Sequence, residues 1–530
     1  MNSPFIAHKF GGTSLASADR ISKVVDILLA RSERQVVVVS AMSGVTDALI
    51  RLVHQAAQRD ETWRSDHQKL LEKHRQTVEA LLGDRSSPVL ARLGVEFQAL
   101  NDLLHAQALL GTVSDDLLDV VSGLGEVFSS CIVNAVFQER SSPSQWVDAR
   151  EIVVVEKGEL GAMVDWPEST RRFRQIVAPN AVRLVVTGFV ARTKAGRTTT
   201  LGRNGSDYSG AIFAALSQAS ELHIWTDVDG VLSADPRLVP DAVLIDRLSY
   251  SEACELAYFG AKVIHPQTMA PAFDRQIPII TRNTFNPTHP GTRISLESDG
   301  AHPVKGVTTF SGLAVLNIEG AGMIGVPGTA ERAFDALKQA RVSVVMISQG
   351  SSEHSICCVI AEREAERAKV AIENAFAREV AAKLIQNVTL TPNVTALAVV
   401  GDGMAGIPGV AARLFTSLAR ADVNVRVIAQ GASERNISVI VDSTDAHRAL
   451  RAVHAGFYLS PQTISVGVIG PGQVGSALLR QISMARQRLL EKANVDLRVR
   501  AIAGRSKMVL SESPVGIDGS RETIDRHGVA

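Results

Sequence analysis

Two motifs recur in one register along this chain. Gly322-Met323-Ile324-Gly325-Val326-Pro327-Gly328 returns as Gly403-Met404-Ala405-Gly406-Ile407-Pro408-Gly409, and Ile347-Ser348-Gln349-Gly350-Ser351-Ser352-Glu353 returns as Ile428-Ala429-Gln430-Gly431-Ala432-Ser433-Glu434, both at an offset of 81 residues. Two unrelated strings that keep one spacing indicate tandem duplicated domains. Each copy reads strand, glycine turn, helix, strand, hairpin strand, helix. The copies differ at their ends. The first has a candidate last strand at 384–390, whereas the second runs from a helix at 445–455 into a strand at 464–469 that the glycine motif at 470–475 needs for itself. The second copy is therefore expected to borrow its missing strand from 304–310, ahead of the first copy.

Upstream of the repeat the pattern changes. Residues 5–10 and 35–41 read as buried strands, with helical periodicity from Ser17 to Arg31 between them, an order that builds a parallel sheet. Residues 47–110 hold amphipathic helices. Further strands are expected at 152–155, 182–190, 221–226 and 277–281, and helices at 205–218 and 249–259. Pro and Gly cluster at 284–303, which reads as a loop-rich boundary. The domains expected are therefore 1–300, 301–393, 394–462 and 463–530.

Composition narrows the class. Lys plus Arg is 55 and Asp plus Glu is 55, so the net charge of zero argues against a nucleic-acid binder. Four cysteines without CxxC spacing read as free thiols in a reducing compartment. No apolar run of about 18 residues is evident, so no membrane span is expected. A cytoplasmic α/β enzyme is the default expectation.

The candidate chemistry sits on two glycine loops, Lys9-Phe10-Gly11-Gly12-Thr13-Ser14 and Gly202-Arg203-Asn204-Gly205-Ser206-Asp207. Glycine pairs let a backbone approach a ligand and aim N–H groups at an anion. A lysine at one loop and an aspartate at the other suggest phosphate handling. The chain has no GxxxxGK[ST] string, so a nucleotide would be held by other machinery.

These loops, together with Ser40-Ala41-Met42-Ser43-Gly44-Val45-Thr46-Asp47, Thr226-Asp227-Val228-Asp229-Gly230, Asp235-Pro236-Arg237 and Gly260-Ala261-Lys262-Val263, resemble the aspartokinase family in order and spacing across residues 1–300. The duplicated region resembles that family's ACT amino-acid-sensing domains, and 470–475 resembles the start of homoserine dehydrogenase. The whole chain looks like the front portion of a bifunctional aspartokinase–homoserine dehydrogenase. The fold implied is an amino-acid-kinase-type parallel-sheet sandwich, then tandem ACT domains of ferredoxin-like α+β type, then a truncated Rossmann start.

The resemblance implies transfer of the ATP γ-phosphoryl to the side-chain carboxylate of L-aspartate. That carboxylate is ionised at neutral pH, so the work is positioning and charge neutralisation. Lys9 is the expected catalytic cation, with Asp207 organising the loop. Gly11 and Gly12 would offer N–H groups, and the helix beyond Ser14 adds roughly half a positive charge. Arg203 suits the α-carboxylate of the substrate and Glu126 its α-ammonium. Ser40, Ala41, Thr46, Phe189 and Ser206 carry over as lining residues. Thr226, Asp227, Arg237 and Lys262 match nucleotide-binding positions. Bland readings stand beside these: Lys9 as a solvated lysine, Glu126 as an exposed helix glutamate, Phe189 as a core aromatic, Ser206 and Asp207 as N-caps. Two positions depart from the family pattern. Leu232 replaces an aromatic residue near the adenine, and Asn204 replaces a glycine, where Asn tolerates positive φ. Mg²⁺ is expected to arrive with the nucleotide, without a dedicated carboxylate cage.

Gln349 and Gln430 are the effector candidates in the two copies, or else simply tie down turns. Resemblance implies feedback inhibition, with threonine favoured over lysine. Gly470, Gly472 and Gly475 between a strand and a helix suit a dinucleotide, and Arg505 and Lys507 after a strand at 497–503 suit the 2′-phosphate of NADP. One βαβ unit ending at Ala530 is not expected to work as a dehydrogenase, and order is expected to fade beyond about 505. Paired sensing domains suggest a homodimer or homotetramer. The competing readings are a kinase for another small acid and a catalytically silent amino-acid sensor.

Overall fold

The computed structural model describes residues 4–158, 161–260, 265–298, 302–350, 354–458, 462–493, 495–511 and 515. It divides into two compact units: Met1–Val231 with Ile245–Ala257 and Lys262–Ser298, and Leu232–Leu244 with Tyr258–Ala261 and Asp299–Ala530.

The first unit carries strands β1 (Phe5–Phe10), β2 (Arg34–Val39), β3 (Gln145–Val147), β4 (Val154–Gly158), β5 (Gly161–Val164), β6 (Arg183–Thr187), β7 (Val190–Thr193), β8 (Thr198–Thr200), β9 (Glu221–Thr226), β10 (Arg247–Ser249), β11 (Ile279–Asn283) and β12 (Thr292–Ser295). Eight of them form one sheet in the order β10-β12-β11-β9-β1-β2-β6-β3. All its pairings are parallel except β11 with β12. The four consecutive valines of β2 are wholly buried, because helices cover both faces of a parallel sheet. Each contributes about 1.5–3 kcal/mol of burial. The strands β5-β4-β7-β8 form a second sheet.

Several expectations shift here. The strand expected at 182–190 ends at Thr187, because Gly188 and Phe189 (φ 66°) turn the chain before β7. The strand expected at 152–155 is preceded by a helical turn, Ala149–Ile152, capped by the Asp148 side chain, and starts only at Val154. The boundary expected at 284–303 contains β12, paired into the main sheet. The helices spanning Asp115–Glu139 are apolar and long enough to cross a membrane by composition, yet 83% of that window is buried, as in a core helix. Side chains all around the helix Leu124–Glu139 lie inside the unit.

The second unit holds β13 (Gly306–Glu319), β14 (Val344–Gln349), β15 (Ser355–Ala361), β16 (Asn387–Val400), β17 (Val427–Gln430) and β18 (Asn436–Asp442) in one sheet, ordered β14-β15-β13-β16-β18-β17. The two central strands are long and shared. Gly306–Phe310 pairs with Ala396–Val400 of the second copy, while Val315–Glu319 pairs with Asn387–Thr391 of the first. The strand expected at 304–310 is thus paired in the sheet of the second copy. The expected last strand of the first copy lies at the start of β16, so β13 and β16 each run through both copies.

The stretch expected as one domain over 1–300 is interrupted. Residues 232–244 belong to the second unit because Ala234, Val239 and Leu238 pack with Leu414, Leu418 and Val453. Ser233 Oγ lies 2.8 Å from His454 Nε2 in this core. Beyond the duplication, β19 (Gln462–Ile469) and β20 (Val495–Ala503) pair in parallel around the helix Gln473–Ala493. Order was expected to fade after about 505, but β21 (Met508–Leu510) pairs with β20, since Val509 finds a buried place against Ile502.

Candidate active site

The first-unit strands β1, β2, β6 and β9 end side by side. β1 is flanked by β2 on one side and β9 on the other, so the strand order reverses there. In open parallel sheets, ligands bind in the crevice at the carboxyl ends of strands at such a switch point.

Strand alternation aims Lys9 to the opposite face from His8 and Phe10. Its ammonium lies 2.5 Å from Asp207 Oδ1, in a pair 10% and 21% exposed. Asp207 occupies the first turn of the helix Gly205–Leu216, which Asn204 enters at φ 57° and ψ 26°. The asparagine therefore takes the left-handed turn expected of it. An ammonium carries three donors, so the pair leaves capacity for a second anion.

After β1 the chain turns through Gly11 and the short 3₁₀ helix Gly12–Leu15. A Cβ on Gly12 would stand 2.9 Å from the Ala41 carbonyl oxygen, so no side chain fits there. The Gly11 N–H donates to Trp225 O at 3.4 Å, and an ideal Cβ on Gly11 would stand 3.6 Å from Lys9 Nζ, so this glycine lies beside the ammonium. After β2, Gly44 at φ 75° starts the helix Val45–Ala57, with Thr46 in its first turn.

A cavity of about 350 Å³ is lined by Gly12, Thr13, Ser40, Ala41, Thr46, Glu126 and Ser206, among others. Two helix N-termini face it, and their dipoles favour negative charge. Ser40 Oγ donates to Ser206 Oγ at 2.9 Å, and Ser129 Oγ donates to Ser40 O at 2.7 Å. Sequence reasoning missed Ser129, although its i, i+3 spacing from Glu126 places both on one helix face.

Glu126 is 4% exposed, not a solvated helix residue. Burial pushes its carboxyl up to about 8, against the opposing pull of the Ala41 and Glu126 backbone and of Lys9. Its Oε2 is buried without a hydrogen-bond partner among the described residues. A buried carboxyl with an unused oxygen is a place where an arriving cation would favour the ionised form.

The remaining candidates separate. Arg203 is exposed on the loop ahead of the helix Gly205–Leu216 and is not among the residues lining the cavity. Phe189 is half-buried; its ring abuts Gly205 and its N–H donates to Ser209 Oγ at 2.9 Å. Thr226 closes β9, and its hydroxyl donates to the exposed Asp227 at 3.1 Å. Nearby, Asp229 accepts from Asn283 at 2.9 Å and Asn286 at 3.1 Å, a clamp sequence reasoning did not foresee. Lys262 lies outside the described residues. Arg237 belongs to the second unit, exposed and paired with Asp235 at 2.6 Å.

In the second unit, Gln349 ends β14 and lines a cavity of about 380 Å³ with Gly325, Val326, Pro327, Gly328 and Thr329. Gln430 ends β17 at the matching register, opposite Ile437. In that copy Gly406 N–H donates to the Glu434 carboxylate at 2.7 Å. Gly470 turns at φ 79° after β19, and a Cβ on Gly475 would lie 2.3 Å from Gly470 O, so this turn demands glycine; Gly472 meets no such crowding.

The model of the amino acid kinase family matches residues 4–283, and an ACT domain model matches 316–376 and 397–457. Bifunctional aspartokinase/homoserine dehydrogenase 1, chloroplastic, of Arabidopsis thaliana is 44% identical over 98% of this chain. The chain spans 58% of that relative's length. E. coli aspartokinase III in complex with aspartate and ADP, in its R-state, aligns at a TM-score of 0.71 with 26% identity, covering 86% of this chain and 100% of that one. The same enzyme in complex with lysine and aspartate, in its T-state, aligns at 0.69 with 26% identity, covering 86% and 99%.

Proposed function

Because the chain belongs to the amino acid kinase family and within it resembles aspartokinases, we propose that it phosphorylates the side-chain carboxylate of L-aspartate with ATP, yielding 4-phospho-L-aspartate. The observation that carries this reading is the shared cavity of the first unit. Glu126 lines it with an unpaired oxygen, and the Lys9–Asp207 pair adjoins it through Ser206, which lines it and precedes Asp207 in the chain. The acceptor carboxylate is already ionised, so no general base is required. Lys9 neutralises charge on the transferring phosphoryl, and Asp207 holds its ammonium in place. The Gly12 and Thr13 amides and the first turn of the helix Gly205–Leu216 offer donors to phosphate oxygens. Glu126 releases its proton to solvent as it receives the substrate ammonium, and Arg203 meets the α-carboxylate.

ATP fits this donor set of ammonium, backbone amides and helix ends. Mg²⁺ would enter with the nucleotide and supply charge neutralisation at its phosphates. The ADP and aspartate held by the E. coli neighbour support both substrates.

We further propose feedback by an amino acid, threonine, at the Gln349 cavity, where glycine-turn amides suit a carboxylate and the glutamine amide suits a hydroxyl. The lysine-bound neighbour supports an amino-acid effector of some kind. Tenfold inhibition requires about 1.4 kcal/mol tighter binding to the inactive state. The turn at 470–475 is proposed to accept a dinucleotide pyrophosphate, with Arg505 and Lys507 facing the 2′-phosphate of NADP.

The test is purified protein with ATP, Mg²⁺ and aspartate, the acyl phosphate being trapped as a hydroxamate. Aspartate-dependent product supports the reading. Its absence, with threonine still bound, favours a silent sensor. Separate titrations with threonine and lysine identify the effector.

A further inference from the structure

Asp119 joins the two arms of the proposed substrate grip. It lies on the helix Asp115–Ser122, whose end at Gly123 leads directly into the helix that carries Glu126. Its Oδ1 accepts from Thr200 Oγ1 at 2.8 Å. Its Oδ2 accepts from Thr199 Oγ1 at 2.8 Å and from Lys157 Nζ at 2.7 Å. Thr199 and Thr200 end β8, immediately ahead of the loop that carries Arg203.

This arrangement is unusual for a strand. Consecutive residues point to opposite faces, so two adjacent hydroxyls reach one carboxylate only if the strand end is turned toward the helix. Both threonines are buried, at 2% and 8% exposed, and the carboxylate side chain is 17% exposed. Burial alone would raise the Asp119 pKa; Lys157, Thr199 and Thr200 outweigh it and hold the group ionised below its usual range. Backbone pairing with Val190 and Ala191 of β7 already secures β8 within its sheet. The carboxylate adds something different, a lateral tie between strand and helix. The loop is tied to the helix that follows it, with Gly205 N–H donating to Gly202 O and Asp207 and Tyr208 N–H to Asn204 O, and to β7 through Leu201 N–H to Phe189 O. Gly202, Arg203 and Asn204 are themselves exposed, and among the described residues no backbone bond of the loop reaches the helix that leads to Glu126. Where Arg203 stands is therefore set at the root of the loop.

We propose that Asp119 is a positioning residue that fixes the placement of Arg203 relative to Glu126 and thereby sets the affinity for the amino-acid acceptor. This rests on the aspartate-kinase reading given above. The experiment compares the full chain with Asp119→Asn and with the double variant Thr199→Val/Thr200→Val, varying aspartate and ATP separately and recording thermal midpoints. The aspartate KM rises about tenfold in both variants, while kcat, the ATP KM and the midpoint hold within about twofold or a few degrees. Thr199→Ser/Thr200→Ser keeps the hydroxyls and restores the aspartate KM. An unchanged aspartate KM, or losses shared equally by kcat, both KM values and the midpoint, overturns the assignment. If the unsubstituted chain itself turns over no aspartate, the failure lies in the kinase reading beneath it.

Discussion

Two cavities of similar volume, about 350 Å³ in the first unit and about 380 Å³ in the second, are built in opposite ways. The first is lined by a carboxyl whose pKa burial raises, Glu126, and adjoins a lysine–aspartate pair that is largely shielded from water. The second is walled by a glycine turn, its apolar neighbours and an exposed glutamine. Buried charges are expensive and persist only where geometry satisfies them. A site that must move a phosphoryl group needs such charges held in advance. A site that only discriminates one amino acid from another can do so with backbone amides and one adjustable amide side chain. The difference shows where the fold accepts instability and where it does not.

The largest expected effect breaks the first cavity. Lys9→Ala lowers turnover by roughly 10²–10³-fold or more, with the fold retained on circular dichroism. A kcat within a factor of two of the parent removes Lys9 from catalysis. Next comes Glu126→Gln, which raises the aspartate KM about tenfold or more. The same change reads the cost of the buried carboxyl. Glu126 titrates near 8 in the folded chain and near its ordinary 4.5 when unfolded, so the folded state holds the extra proton between those values. That contribution is complete below about pH 4.5 and is lost as pH rises through about 8, at up to about 1.4 kcal/mol per pH unit. The Gln variant therefore gains stability over the parent as pH rises toward 8; parallel curves of thermal midpoint against pH would mean the carboxyl is not strained by burial.

The second cavity should respond more mildly. Gln349→Ala shifts the threonine inhibition midpoint about tenfold with little change in the uninhibited rate. Overlaid inhibition curves put the effector elsewhere. Gln430→Ala tests whether the copies are equivalent. A shift several-fold smaller than that of Gln349→Ala is expected, because a protein carboxylate, Glu434, already takes the Gly406 amide in that copy. The smallest effect lies away from both cavities. Ser233→Ala leaves the Val243 amide and His454 without that hydroxyl and costs about 1–2 kcal/mol in denaturant unfolding, with kinetics unmoved.

Much of this was legible in the residues. The valine run of β2 and the spacing of Ile21, Val24, Val25 and Leu28 announced strand and helix, because burial on a defined face leaves a period in the sequence. The repeat at 81 residues announced two copies, and the mismatch of their ends pointed to a strand lent from ahead of the first. Other features left no local mark. Nothing in the string 182–190 marks Phe189 as a turn residue at positive φ, nor shows that its ring lies where only a glycine at 205 leaves room. The motif Asp235-Pro236-Arg237 reads as part of the first domain, yet the apolar residues around it are buried in the second.

Residue order alone determined the element types, the duplication and the identity of the groups available for phosphoryl chemistry, because these depend on periodicity and side-chain type. Only tertiary structure decided that Glu126 is buried with one oxygen unpartnered among the described residues, that Ser129 shares its helix face and reaches Ser40 O, and that Asp119 ties a strand end to a helix. Each of those depends on which distant groups exclude water from the same few ångströms, and sequence separation carries no record of that.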